Sequence, residues 1–150
     1  MRKPLLPSIK DTSFFVVALI VIVLDQVIKA VIVTLPSDFS KSLLGSFLTL
    51  TSVKNFGASF GILHGRMFFL ILFSVAVILM ILLYYRHVPE KMHSFLALIL
   101  GGTIGNLIDR IHFGYVVDYI DIPYWPAFNI ADTAICVGAF FLIYYLWKEK

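Results

Sequence analysis

The sequence predicts an all-α membrane protein: a bundle of four transmembrane helices forming one domain over residues 1–150. Three observations carry this. Apolar residues make up 60% of the chain and charged ones only 14%, with a mean hydropathy of +0.94, well outside the soluble globular range. Apolar runs recur four times, each near the ~20 residues that ~30 Å of hydrocarbon requires. The connections alternate long, short, long, with Lys and Arg concentrated on one side.

The first span is expected at Phe14–Leu35. Arg2, Lys3 and Lys10 before it give a superficial likeness to a secretory signal. No small-residue cleavage site follows, and the run continues through Asp25 and Lys29, so an uncleaved span is expected. Those two residues are spaced i, i+4 with the acid first, the favourable order for a helix ion pair. In the long loop Pro36–Arg66, Phe47–Val53 alternates apolar and hydroxylated residues, which predicts a short amphipathic strand. Asn55–Gly61 (NFGASFG) follows, its small residues permitting close backbone approach. The second span is Met67–Tyr85, and the turn Arg86–Met92 is tight and basic. The third, His93–Ile108, is short and contains Gly101 and Gly105, a small-xxx-small pair suited to helix packing. A second long loop, Asp109–Asn129, brings Tyr115, Tyr119, Tyr124 and Trp125, aromatics that suit a membrane–water interface. The fourth span is Ile130–Trp147.

Seven basic residues (Arg2, Lys3, Lys10, Arg86, Lys91, Lys148 and Lys150) flank the short-loop side. Lys41, Lys54, Arg66 and Arg110 are spread along the two long loops. The positive-inside rule therefore places both termini in the cytoplasm and both long loops outside. With that orientation, Asn106, Asp109 and Arg110 come at the outer end of the third span. Asn129 and Asp132 come at the outer start of the fourth, Asp118 and Asn55 lie in outer loops, and Lys29 sits one or two turns below the outer end of the first span. Nearly every unusual polar residue can reach one site at the extracytoplasmic interface. Acids are scarce, nine in all, and carboxylates at a bilayer tend to mark function.

Each of these residues also has a structural reading. Lys29 can neutralise a buried Asp25, Asp109 can pair with Arg110, Asn129 can cap the fourth helix, and Asp132 can complement its dipole. Asp121 reads as a solvated loop acid. The lone Cys136 permits no internal disulfide and reads as buried packing. His64, His87, His93 and His112 are scattered without metal-ligand spacing, so no metal and no cofactor are expected. Ser59 has no lysine placed beside it for serine–lysine chemistry. A net charge of +3 calls for no nucleic-acid partner.

Taken together, Asp25 with Lys29, NFGASFG at 55–61, GNLIDR ending at Arg110, GYVVDYID at 114–121 and PAFNIAD at 126–132 resemble the lipoprotein signal peptidases (signal peptidase II), bacterial membrane aspartic peptidases. The likeness covers nearly the whole chain. It implies that Asp118 and Asp132 form the catalytic dyad and that Asn55, Asn106, Arg110 and Asn129 support it or contact substrate. Asp25, Lys29 and Asp109 would shape the site. It also implies a small extracytoplasmic β-cradle from the first loop and a short extracytoplasmic helix in the second. The implied substrates are diacylglyceryl-modified prolipoproteins, cut just before the lipidated cysteine. The implied setting is the bilayer of the bacterial cytoplasmic membrane, with a multi-pass monomer whose active site faces outward.

Two adjacent carboxylates suit amide hydrolysis without a covalent intermediate, because they do not ionise together easily: one keeps a proton while the other serves as base. Asp132 at a helix start favours the ionised form, and Asp118, after two valines, the protonated one. Two other classes compete on residues alone. A proton-coupled transporter predicts acids deep in the spans, whereas only Asp25 is deep. A membrane phosphotransferase predicts several carboxylates on one segment, which Asp118 and Asp121 approach in asparagine-rich surroundings.

Overall fold

The computed structural model describes residues 9–57 and 67–149. The chain runs α1 (Ile9–Ile32), β1 (Ser40–Leu44), β2 (Leu48–Asn55), α2 (Met67–Tyr84), α3 (His93–Phe113), β3 (Val116–Ile122), β4 (Trp125–Phe128) and α4 (Ile130–Lys148). Two single-turn 3-10 helices, Tyr85–His87 and Glu90–Met92, make the tight connection between α2 and α3. Four segments are long and apolar enough to cross a membrane: Asp11–Ile32, Met67–His87, Glu90–Phe113 and Ile130–Lys148.

The third helix is the axis of the bundle, packing against each of the other three. Its glycines explain why. A Cβ at Gly101 would stand 2.6 Å from the Ala18 carbonyl oxygen of α1, and one at Gly102 would overlap the Ala131 carbonyl oxygen of α4. Gly138 of α4 answers with the same closeness to the Phe95 carbonyl oxygen, at 2.6 Å. Backbones approach this closely only where side chains are missing. Outward, the helices present large apolar side chains such as Phe68, Phe73, Leu83 and Ile143, each about two-thirds exposed or more. A soluble monomer does not display such surface, and a lipid-facing bundle does. At the end of the bundle away from the sheet, Phe14, Tyr85 and His93 pack together, and Arg86 donates to Asp11 at 3.0 Å.

The strands form one antiparallel sheet in the order β1-β2-β3-β4. It sits where α1 and α3 end and α4 begins. The alternation in the first loop does become a strand, β2, and it pairs with β3 so that Val53 stands opposite Asp118 and Asn55 opposite Val116. Ile32, Val117 and Tyr119 seal the sheet against α1.

Four expectations are corrected. The second loop holds the β3–β4 hairpin where a short helix was implied. The third span runs on past Ile108 to Phe113. It stops where Gly114 takes a left-handed conformation (φ 75°) and donates to the Arg110 carbonyl, a role glycine fills without strain. Tyr119 is buried, while Tyr124 and Trp125 are exposed as interface aromatics. Cys136 is exposed rather than buried. Residues 58–61 of the NFGASFG stretch, Ser59 among them, and His64 lie outside the described residues.

Candidate active site

Burying a carboxylate is costly unless donors meet it, so each acid at this end of the bundle is read through its partners. Asp25 and Lys29, four apart on α1, form the expected ion pair at 2.8 Å with both side chains almost fully buried. Lys29 also pairs with Asp109 of α3 at 2.9 Å and donates to Asn106 Oδ1 at 2.9 Å. Asp109 therefore takes Lys29, not Arg110, as its ionic partner. Neighbours on a helix point roughly 100° apart, and the two side chains diverge accordingly. The other contacts of Asp109 come from Gln26 Nε2 (2.9 Å) and the Val117 backbone N–H (3.0 Å). A strand amide is thus held by a helix side chain, which fixes β3 onto α3.

Asp118 is 1% exposed on β3. Asn55 Nδ2 donates to its Oδ2 at 2.9 Å and Asn129 Nδ2 to its Oδ1 at 2.7 Å. Burial first, and then the Asp132 charge, push the Asp118 carboxyl up from 3.8 to about 7, against the pull of those two hydrogen bonds. Asp121, three residues on, points to the opposite face of the strand and is half-buried. The loop acid of the sequence reading is a strand residue, paired in register with Thr49.

The first turn of α4 is where the elements meet. A helix start leaves backbone N–H groups without intrahelical partners, and here three side chains take them in succession. Tyr119 Oη accepts from Ile130 N (3.1 Å), Asp25 Oδ1 from Ala131 N (3.0 Å) and Asn129 Oδ1 from Asp132 N (2.8 Å). Burial holds the Tyr119 phenol up at about 12, so its hydroxyl stays protonated. Asp132 Oδ2 accepts from Asn129 N at 3.3 Å, completing a capping box. Its other oxygen accepts from Asn106 Nδ2 at 2.7 Å. Asn129 thus caps the helix and also joins the two aspartates, touching Asp118 through its amide nitrogen and Asp132 through its amide oxygen.

All nine residues singled out from the sequence gather here. Asp25, Lys29, Asn106, Asp109, Asp118, Asn129 and Asp132 are joined in one hydrogen-bonded network, and Asn55 extends it from β2. Arg110 stands beside it, half-buried, with its Nε enclosed and, among the described residues, without a hydrogen-bond partner. Sequence reasoning missed Gln26, which bridges Asp109, the Gly105 carbonyl (3.1 Å) and Asp25 (3.3 Å). Its signal was there: a polar residue inside an apolar span, three before Lys29. The Tyr119 hydroxyl was missed as well, because its position two residues before Asp121 gives no hint of burial.

A groove of ≈ 690 Å³ opens at this network. Asn55, Asn106, Arg110 and Asp132 form its polar end, and Leu70, Phe73, Val77, Ile99, Ile135 and Val137 its apolar walls. Cys136, one turn beyond Asp132 on α4, lies in the same wall. Among the described residues no three His, Cys, Asp or Glu side chains come together as a metal centre would need. Lys29 fills the place between Asp25 and Asp109.

A sequence profile described as Signal peptidase (SPase) II matches residues 17–148. The lipoprotein signal peptidase of Halothermothrix orenii is 45% identical over 139 residues, 91% of this chain and 96% of that one. That of Moorella thermoacetica is 43% identical over 137 residues, 89% and 91% of the two chains. A solved structure described as a bacterial membrane enzyme, determined in meso at 2.3 Å resolution, superposes with a TM-score of 0.88 at 32% identity, covering 92% of this chain and 89% of that one. A second, at 1.9 Å resolution, gives 0.85 at 31% identity, covering 93% and 95%. Profile, relatives and fold agree, and the chain belongs to the signal peptidase II family, multi-pass in its four apolar helices.

Proposed function

We propose that Asp118 and Asp132 are the catalytic pair with which this membrane peptidase cuts. As a member of the signal peptidase II family it removes signal peptides from prolipoproteins. The finer reading is that the substrate carries a diacylglyceryl group on its cysteine and is cut on the amino side of that residue. The observation that carries it is Asn129, which donates to the Asp118 carboxylate through its side chain and to the Asp132 carboxylate through its backbone N–H, with Asp132 itself at the polar end of a largely apolar groove. A groove of that character accepts a peptide bond at one end and hydrocarbon along its walls.

In the mechanism Asp132 takes a proton from water as the water attacks the scissile carbonyl. Asp118, which holds its proton up to about pH 7, gives it to the carbonyl oxygen. As the tetrahedral intermediate collapses, Asp132 passes the proton taken from water to the leaving amine and Asp118 takes its own back from the hydroxyl, which restores the pair. Asn55 and Asn129 keep Asp118 in place through both transfers. Arg110 Nε offers the groove an enclosed donor without a partner among the described residues, suited to a peptide carbonyl. The polar network stands at the sheet end of the bundle. The distribution of Lys and Arg supports placing that end outside the cytoplasmic membrane, with both termini in the cytoplasm. Water then enters from outside and the lipidated substrate laterally from the bilayer. The chain acts in this reading as a monomeric single domain, without a metal or cofactor.

The test measures cleavage of one prolipoprotein, with and without prior diacylglyceryl transfer to its cysteine. Asp118→Asn and Asp132→Asn each abolish turnover while the folded protein stays in the membrane, and Asp121→Asn is mild. Loss of the lipid removes most turnover, since positioning alone is worth several kcal/mol of barrier. Activity within about tenfold of wild type in either dyad variant removes that aspartate from catalysis. Equal rates on the two substrates remove the lipid requirement.

A further inference from the structure

Lys29 touches neither aspartate of the pair directly in any hydrogen bond described above, yet it governs the side chain that does. A lysine ammonium has three donors and no acceptor. Here the three go to Asp25 Oδ2, Asp109 Oδ2 and Asn106 Oδ1, all within 2.9 Å. An amide facing a lysine must present its oxygen. Asn106 is therefore held with Nδ2 on the far side, where it donates to Asp132 Oδ1 at 2.7 Å. Asn129 Nδ2, at 3.2 Å from Asn106 Oδ1, enforces the same orientation. Rotated by half a turn, Asn106 would set its NH2 against two donors and turn an acceptor toward Asp132, which suits a protonated acid.

The pair is thus held asymmetrically. Asp132 receives an amide donor whose orientation a buried cation enforces. Among the described residues the donors to Asp118 have no such backing: Asn55 Oδ1 accepts from a turn amide, Gly57 N at 3.0 Å, and Asn129 Oδ1 accepts from Asp132 N. The other groups around this core are Asp25 and Gln26 from α1, Asp109 and Arg110 from α3, and Tyr119 from β3. Arg110 interacts electrostatically with Asp132 first, and less with Asp118 and Asp109, so its charge acts in the same sense, and it is retained in every variant compared below.

We propose that Lys29 is a positioning residue: by fixing the amide of Asn106 it makes Asp132, not Asp118, the carboxylate that stands ionised as the base. This rests on Asp118 and Asp132 being the reacting pair. The experiment is kcat/KM against pH for the full chain on a diacylglyceryl-modified precursor. Two double variants are compared, Lys29→Met with Asp25→Asn and Lys29→Gln with Asp25→Asn. Each removes one positive and one negative charge, so the cluster keeps its net charge, and the two differ in whether position 29 can still donate to Asn106. The methionine pair moves the acidic limb up by about one pH unit, a roughly tenfold loss on that limb. The glutamine pair returns the limb most of the way. Limbs that stay at the wild-type pH in both, with activity scaled evenly at every pH, overturn the proposal and leave Lys29 a purely structural ion. Where the methionine pair does not accumulate as folded protein, Asn106→Asp decides. It keeps an oxygen for Lys29 but takes the donor from Asp132, and an unmoved acidic limb there overturns the proposal equally. Failure of the dyad itself is read separately, as turnover surviving in Asp132→Asn.

Discussion

Replacing Asp118 by Asn changes stability with opposite sign at the two ends of the pH scale. The carboxyl is 1% exposed and titrates at about 7 in the folded protein against an ordinary value of 3.8. Below about pH 4 it is protonated in folded and unfolded chains alike, and its full contribution is present. As pH rises toward 7 the unfolded chain releases the proton first, and stability falls by about 4 kcal/mol in all. The Asp118→Asn protein has no proton to release at this position and escapes that loss. The amide has its own cost. Both Asp118 oxygens accept from asparagine nitrogens, at 2.9 and 2.7 Å, and an amide has one oxygen to offer, so its NH2 faces the other donor. An opposed buried donor costs about 1–3 kcal/mol. At pH 8 the variant is therefore more stable than wild type by about 1–3 kcal/mol, and at pH 4 less stable by a similar amount, with the curves crossing at roughly pH 5. Thermal unfolding of the purified protein in detergent, followed by tryptophan fluorescence at both pH values, measures this. A difference of the same sign and size at pH 4 and pH 8 refutes the reasoning, because it leaves no role for a carboxyl that is held neutral by burial.

Two further outcomes follow from the same geometry. Asn55→Ala removes a hydrogen bond that favours ionised Asp118. The acid then keeps its proton to higher pH, and the alkaline limb of kcat/KM moves up by about one unit, the low end for a bond to a charged group at a half-buried site; an unmoved limb contradicts Asp118 as the acid. Cys136 lines the groove one turn from Asp132, so a bulky maleimide slows cleavage severalfold in wild type and not in Cys136→Ser, whose own turnover stays near wild type. Equal inhibition of both proteins would place the groove elsewhere.

The spans were legible because a bilayer demands long apolar runs, and those runs survive in a bare sequence. Their ends were not. The third helix was expected to stop at Ile108 because Asp109 and Arg110 look like the start of a loop. In the fold each is accommodated within the helix, Asp109 by Lys29, Gln26 and the Val117 amide, and Arg110 at the groove. The first helix likewise begins before Phe14, since Asp11 has Arg86 to pair with. Polarity marks a helix end only when no buried partner exists, and partners far along the chain are invisible to local pattern.

The site was legible for a different reason. Topology alone brings the outer ends of the first, third and fourth helices together, so residues at those ends had to converge. What topology does not give is the direction of each side chain. That is why Asp109 was offered to Arg110, Cys136 to the interior, and Gln26 to nothing. The structural and the functional readings of Asn129 and Asp132 also looked like alternatives, and they are the same fact. Burial makes every polar group at this end of the bundle need a partner. The partners nearest to hand are the unsatisfied amides at the start of α4 and the acids themselves. The capping box that begins the helix therefore also orients Asp132, and the ion pair that neutralises Asp25 also orients Asn106. Loosening the fold at this point loosens the chemistry with it, because one set of hydrogen bonds does both.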